Sequence, residues 1–291
     1  MIEMRLPERI LMATDLSARC DRALARSALL ARGWNSRLTV AHVVHAAEVA
    51  RRDRLGAGMP SWRRPESWAQ TLERALRRDL AAEGIDATAR IVIGSTAEAL
   101  PKEVADDGAG LVVLGIAKDA RSDLIRLGST VDTLVRRSPA PVLNVRLRAH
   151  HAYRHVVVAT DFSEPAMHAL RLAANWFPGS RLTLFHAFAP PGPASTGSPV
   201  AHEARHAAAT RECASHLAAA ALAAPTEAAL QLVLDSGDPQ TLLADYIASA
   251  DVDLVVLGSH GRSGLARALL GSTAENLLHA LDCDTLVVRG A

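Results

Sequence analysis

A chain of 291 residues has room for two ordinary domains, and at 49% hydrophobic with a formal charge of +1 it has a globular make-up. Near-neutrality gives no support for nucleic acid or an anionic membrane as the main partner, and 3% aromatics leaves no stacking platform for single strands. Three cysteines (Cys20, Cys213 and Cys283), odd in number and without CxxC spacing, argue against a disulfide framework. No stretch approaches the ~20 apolar residues that span a bilayer, and the first fifteen residues lack a secretory apolar region, so a cytoplasmic location is expected.

In chain order, Ile10–Ala13 reads as a short strand closed by Thr14-Asp15, and Arg19–Arg32 as a helix with Ala and Leu on one side. Leu38–Val44 is a second strand, Ala46–Arg64 an irregular stretch rich in Arg and Trp, and Pro65–Glu83 a helix. Ala87–Ile93 (strand), Ala97–Asp106 (helix), Leu111–Leu114 (strand), Thr130–Arg137 (helix) and Pro141–Val145 (strand) follow. The same series then returns: Val156–Ala159, Glu164–Trp176, Leu182–Ala187, His202–Ala224, Ala228–Leu234, Gln240–Ser249, Leu254–Leu257, Thr273–Leu281 and Thr285–Val288. Ala13-Thr14-Asp15 recurs as Ala159-Thr160-Asp161 at an offset of 146, and Leu111–Gly115 as Leu254–Gly258 at 143. Order is kept and the offset barely drifts, so the chain is one unit written twice, with domains expected over 1–149 and 150–291. Alternating short apolar strands and helices predict an α/β fold, a parallel sheet with helices on both faces, with any ligand beyond the strand C-termini.

The chemistry is concentrated at one such C-terminus. Leu254–Leu257 runs into Gly258-Ser259-His260-Gly261, and nine residues later come Gly271-Ser272-Thr273. Glycines without Cβ let backbone approach a ligand, and a helix opening at Ser272 or Thr273, either of them the N-cap, presents unpaired N–H groups to an anion. The two turns predict a cradle for a nucleotide polyphosphate. The chain has neither GxxxxGK[ST] nor GxGxxG, which argues against a P-loop NTPase or a nicotinamide dehydrogenase. Asp161, at the end of the equivalent of strand one, either caps the following helix or faces that cradle, and one carboxylate can do both.

Other signals have plainer readings. Gly237-Asp238-Pro239 suits an N-cap with Pro at the first helical position, a helix start that could border the ligand. His202, His206, Cys213 and His216 fall within roughly 80° of one helix face, but no carboxylate or cysteine pair completes a metal set. Arg51, Arg52, Arg54, Arg63 and Arg64 with Trp62 and Trp68 read as a solvated loop, with partner docking as the alternative. His42 and His186, at equivalent strand ends, read as half-buried and hydrogen-bonded, and no nucleophile stands beside a base.

Glycine spacing, preceding strand, distant Asp and repeat order together resemble the universal stress protein family over nearly the whole chain, as a tandem two-domain member. The resemblance implies two α/β sandwich domains, each a five-stranded parallel sheet (adenine nucleotide alpha hydrolase-like), with ATP at the strand C-termini. In the second domain it implies Asp161 beside adenine and ribose, Ala187 and Leu257 lining the base pocket, and Gly258, Gly261, Gly271, Ser272 and Thr273 at the phosphates. Any Mg²⁺ would ride on the phosphates. In the first domain Lys118 replaces the second glycine of Gly115-Ile116-Ala117-Lys118, with Gly128-Ser129 at the same count, so its site is expected to be empty or altered, unless Lys118 pairs with a phosphate. A stress-response regulator with an unidentified protein partner, assembled as a homodimer, is the function implied. A slow ATPase or autophosphorylating enzyme using Ser272 or Thr273, and a nucleotide-independent interaction module, are the alternatives.

Overall fold

In a computed structural model of the chain, the residues described are 5–57, 59, 66–116, 129–189, 199–259 and 271–289. They fall into two compact units. The N-terminal unit carries β1 (Arg9–Thr14), a single 3-10 turn at Ala18–Cys20, α1 (Asp21–Trp34), β2 (Arg37–Val44), α2 (Ala46–Ala57), α3 (Trp68–Ala82), β3 (Thr88–Ile93), α4 (Thr96–Asp107), β4 (Leu111–Gly115), α5 (Ser129–Arg137) and β5 (Val142–Val145). Its strands lie in the order β3-β2-β1-β4-β5, with every pair parallel. The C-terminal unit repeats the plan with β6 (His155–Ala159), α6 (Glu164–Trp176), β7 (Arg181–Phe188), α7 (Pro199–Ala220), α8 (Ala224–Ala229), β8 (Gln231–Ser236), α9 (Pro239–Ala250), β9 (Leu254–Gly258), α10 (Ser272–Ala280) and β10 (Asp284–Val288). Its order is β10-β9-β6-β7-β8, again all parallel.

Sequence and register agree on the duplication. Ile10 pairs with Leu111 and Ala13 with Leu114 in one sheet; Val156 pairs with Leu254 and Ala159 with Leu257 in the other. The central strands read as unbroken apolar runs because helices cover both faces, and Leu111–Leu114 and Leu254–Leu257 are all buried. α6 turns Ala169, Leu170, Leu172, Ala173 and Trp176 inward, an apolar stripe at helical spacing. In each sheet the chain winds one way from β1 (or β6) and the other way from β4 (or β9). The strand order therefore reverses between those neighbours, which opens a crevice at their C-terminal ends.

Two segments differ from the sequence expectation. Residues 46–57, expected to be irregular, form α2; its Ala, Glu, Arg and Leu are good helix formers whether or not the charges are buried. Arg51, Arg52 and Arg54 therefore ride on a helix, with the Arg52 guanidinium 4.7 Å from the centre of the Trp68 ring; Trp62, Arg63 and Arg64 lie outside the described residues. The long second-domain helix stops at Ala220, where Ala221 takes φ = 48°, and α8 restarts with Pro225 in its first turn. That displaces the next strand to 231–236.

Two buried polar side chains of the C-terminal unit are matched by specific partners. The Tyr153 hydroxyl donates to Asp284 Oδ2 at 2.7 Å, and the His155 ring lies between the Ala250 carbonyl at 2.9 Å and Thr183 Oγ1 at 3.0 Å. Burial lowers the His155 pKa from its ordinary value and outweighs the carbonyl contact, so the imidazole is held neutral. No described helix is long and apolar enough to cross a membrane.

Candidate functional site

The crevice of the C-terminal unit is built from three strand exits and two helix starts. Beyond β6 the chain passes through Thr160-Asp161-Phe162-Ser163. Thr160 Oγ1 accepts from the Phe162 N–H at 2.9 Å and Asp161 Oδ1 from the Ser163 N–H at 3.0 Å, local bonds that fold the turn without a ladder partner. Ser163 caps α6, its hydroxyl accepting from the Ala166 N–H at 3.4 Å, and Pro165 sits in the first turn, where a missing N–H is harmless. The cap is thus Ser163, and Asp161 stays two residues upstream at the crevice. Phe162 adopts φ = 62°, a left-handed conformation costing a bulky residue roughly 1–2 kcal/mol.

At the second exit, glycine is required for space rather than for an unusual φ. A Cβ on Gly258 would stand 2.8 Å from the Pro165 carbonyl carbon and 2.9 Å from the Ala166 nitrogen. The residue therefore lets the start of α6 lie against the end of β9, and the expected role in approaching phosphate gains a structural companion. Gly271 also has a duty of its own: its N–H donates to the Ser259 carbonyl at 2.9 Å, so that amide is already engaged. Gly271, with φ −63° and ψ 142°, is the N-cap of α10. The expectation of Ser272 or Thr273 at the cap is corrected, because both are already inside the helix, where the first-turn N–H groups lack intrahelical acceptors.

The third boundary is the start of α9. Asp238 Oδ2 accepts from the Thr241 N–H and hydroxyl, both at 2.9 Å, and Pro239 opens the helix. These bonds, the Thr241 N–H first, hold the Asp238 pKa below its ordinary 3.8. A carboxylate depressed on folding stabilises the fold above its unfolded pKa and loses that contribution as pH falls through the folded value. Asp238→Ala should accordingly lower the unfolding temperature at pH 7, with the gap to wild type narrowing below pH 3.8. A gap of the same size at pH 7 and pH 3 would contradict this.

These boundaries enclose a cavity of about 230 Å³. Asp161, Ala187, Leu257, Gly258, Gly271, Ser272 and Thr273 all line it, joined by Thr160, Phe185, His186, Pro239, Leu243 and Leu277. Of the predicted site residues, Gly261 alone lies outside the described residues. The wall is apolar along Ala159, Ala166, Phe185, Leu243 and Leu277 and polar at Thr160, Asp161 and the opening of α10, the division expected of a small-molecule site. His186 holds the turn, its Nδ1 2.8 Å from the Thr160 carbonyl oxygen. The Phe162 ring lies 4.2 Å from the His186 ring and 5.5 Å from that of His216, whose Nε2 is 3.5 Å from Thr160 Oγ1. The four candidate metal ligands of α7 thus serve packing: His202 and His206 lie against Phe188, and Cys213 and His216 are buried. Among the described residues no group of three or more potential ligands gathers. The packing of Phe162 against His186 and His216, none of it foreseen, has no signal in the sequence because nothing in the spacing tells that α7 returns over the β6 turn.

The N-terminal unit reproduces the turn but not its surroundings. Leu16 has the same φ of 62° and its N–H donates to Thr14 Oγ1 at 2.9 Å, while His42 Nδ1 is 2.9 Å from the Thr14 carbonyl oxygen. The carboxylate of Asp15, however, accepts from the Ser17 N–H, the Cys20 thiol at 3.2 Å and the Arg19 guanidinium at 3.1 Å. Burial alone would raise the Asp15 pKa, but the Ser17 hydroxyl and amide, the Cys20 thiol and Arg19 outweigh it and keep the group below the ordinary carboxylate value. Burial pushes the Cys20 thiol up, so it remains a neutral donor. Pro165 and Ala166 stand where Arg19 and Cys20 do, each pair beneath its own glycine, and neither can bond to a carboxylate through its side chain. Lys118 and Gly128 lie outside the described residues.

Comparison with known proteins converges. The sequence profile of the universal stress protein family matches residues 7–146 and again 152–289. The chain is 39% identical over 56 residues to universal stress protein E of Salmonella typhi and 40% identical over 57 residues to universal stress protein A homolog 2 of Coxiella burnetii. Those stretches are 19% and 20% of this chain, and span 18% and 38% of the relatives' own lengths. Among solved structures, a universal stress protein from Archaeoglobus fulgidus superposes with a TM-score of 0.69 at 18% identity, covering 98% of this chain and 99% of that one. A functionally unknown protein from Pseudomonas aeruginosa PAO1 does so with 0.69 at 21%, covering 99% and 94%. Two profile matches in succession and a shared fold over the whole length make this chain a tandem two-domain member of the universal stress protein family.

Proposed function

We propose that the C-terminal domain binds ATP and that the protein is a stress-response regulator whose partner contacts follow nucleotide occupancy. The observation that carries this reading is the meeting of Asp161, Ala187, Leu257, Gly258, Gly271, Ser272 and Thr273, from three strand exits and a helix start, around one cavity. At about 230 Å³ it lies just under the roughly 300–1,000 Å³ of small-molecule pockets, room for a base and sugar with the phosphates left to the opening of α10. Apolar walls suit a purine, a carboxylate suits ribose hydroxyls, and helix N-terminal amides suit phosphate. Mg²⁺, where bound, is carried by the phosphates. The unidentified regulatory partner, cytoplasmic location and homodimeric assembly belong to the same proposal.

Mass spectrometry of small molecules released from the purified full-length protein, followed by calorimetric titration with MgATP, tests the reading. One ATP per chain is expected, with Gly261→Lys, the Lys118 arrangement of the first domain, abolishing measurable binding. Absence of both co-purified nucleotide and titratable binding would leave the interaction-module alternative. Radiolabelled ATP in the same preparation reads out hydrolysis or labelling at Ser272 or Thr273, the enzymatic alternative.

A further inference from the structure

We infer that His155 and Arg181 form an acid-sensitive latch on the closing turn of α9, the helix whose Pro239 and Leu243 wall the cavity. Helix α9 ends at Ala250, with Asp251 beyond it in a left-handed conformation, φ = 50°. The last carbonyls of a helix have no intrahelical donor. That of Ala250 receives one from the Arg181 guanidinium, whose Nη2 lies 2.8 Å away, and a cation suits this end of a helix. The same Nη2 stands 2.5 Å from His155 Nδ1. A guanidinium only donates, so Nδ1 presents its lone pair and the ring proton lies on Nε2, 3.0 Å from Thr183 Oγ1. One nitrogen of Arg181 thus joins the helix end to a buried imidazole.

A second proton on His155 undoes this arrangement. Nδ1 then carries a hydrogen where Arg181 donates, two cations meet, and the acceptor beside that nitrogen is the Ala250 carbonyl at 2.9 Å. The imidazolium takes the carbonyl, and Arg181, which is exposed, leaves for solvent. The ring has little room to sidestep, because Asp253 Oδ2 accepts the N–H groups of Arg154 and His155 at 2.6 and 3.0 Å. The groups that face it are Arg181 and Thr183 from β7, Asp251 and Asp253 beyond α9, and the Tyr246 ring of α9 at 6.0 Å. Burial first, and Arg181 with it, outweigh the Ala250 carbonyl, Asp253 and Asp251 and hold the His155 pKa below its ordinary 6.5.

The N-terminal unit has the same contact without the titratable part. Arg9 pairs in register with Arg37 as His155 does with Arg181. Its Nη1 donates at 2.8 Å to the carbonyl of Asp107, the last residue of α4. An arginine keeps its charge at any pH of interest, so of the two contacts the C-terminal one alone answers to acid.

Below pH 6.5 the unfolded chain binds a proton that the folded chain resists, so stability falls as pH drops from there to the folded value and then levels off. The test follows thermal unfolding of full-length wild type, His155→Asn and Arg181→Met between pH 7.5 and pH 5.5, beside an NMR titration of the histidine rings. Wild type should lose about 2–4 °C more than His155→Asn across that range; the other histidines are common to both chains, so their share cancels. In Arg181→Met, relieved of the neighbouring cation, His155 should titrate at a higher pH than in wild type. A histidine that only fills space would leave wild type and His155→Asn with parallel pH profiles. Parallel profiles, or a His155 titration that Arg181→Met leaves in place, overturn the inference; should His155→Asn fail to fold, the Arg181→Met titration decides. Neither measurement depends on whether the cavity binds ATP.

Discussion

A full-length chain carrying Asp161→Asn should bind ATP about 10- to 100-fold more weakly than wild type and yet unfold at nearly the same temperature. The two effects separate because the turn bond and the proposed ribose contact make different demands on the side chain. Its Oδ1 accepts the Ser163 N–H at 3.0 Å and so shapes the turn into α6; an asparagine oxygen does this equally well. What asparagine lacks is the charge that the proposed ribose contact uses, and hydrogen bonds to a charged group contribute about 1.5–3 kcal/mol, hence the expected range. Asp161→Ala removes both and should lose affinity and stability together. Isothermal titration and thermal unfolding of the pair decide the matter: if the asparagine variant binds like wild type and only the alanine variant suffers, Asp161 is a turn residue and no more.

Gly258→Ala should be among the most damaging single-methyl additions in the chain. The added carbon would lie 2.8 Å from the Pro165 carbonyl carbon and 2.9 Å from the Ala166 nitrogen, both main chain, so no rotamer can yield and the start of α6 must move. Overpacking of this kind costs roughly 1–3 kcal/mol, or about 3–10 °C of unfolding temperature in a domain of this size. The equivalent Gly115→Ala meets the Arg19 carbonyl oxygen at 3.0 Å and the Cys20 Cα at 3.4 Å, and should cost less. Because Ala166 also lines the cavity, the Gly258 variant should lose ATP affinity as well. Calorimetric melts of the two variants, equal to each other or to wild type, would remove the packing explanation.

What could be read from residues alone is what repeats or has a fixed period. The two Leu-Val-Val-Leu-Gly runs announce buried parallel strands because only both-face burial tolerates such continuity. Gly-Asp-Pro announces the start of α9 because each of its residues has one favoured place at a helix opening. The glycine turns and the hydroxyls behind them could be named from spacing, whereas Ala187 and Leu257 came only from the family resemblance; those described line one cavity. What could not be read depends on partners far apart in sequence. Helix α2 was hidden by its arginines, whose charge suggests solvent but whose stems favour helix. The cap of α10 fell on Gly271 rather than Ser272, since the bond to Ser259 anchors the chain one residue earlier than capping chemistry suggests. The packing of Phe162 against His216 needs α7 to return over the β6 turn, and the bonds to Asp15 need Arg19 and Cys20 to be one turn away in space rather than merely near in sequence.

The Ser259–Gly271 hydrogen bond carries a consequence for changes of chain length. With the Ser259 carbonyl joined to the Gly271 amide, the exit of β9 and the opening of α10 are tied directly to each other, and closure entropy changes only slowly with the length of a connecting segment. A change in the number of residues that join Ser259 to Gly271 is therefore expected to alter the stability of the C-terminal unit only slightly.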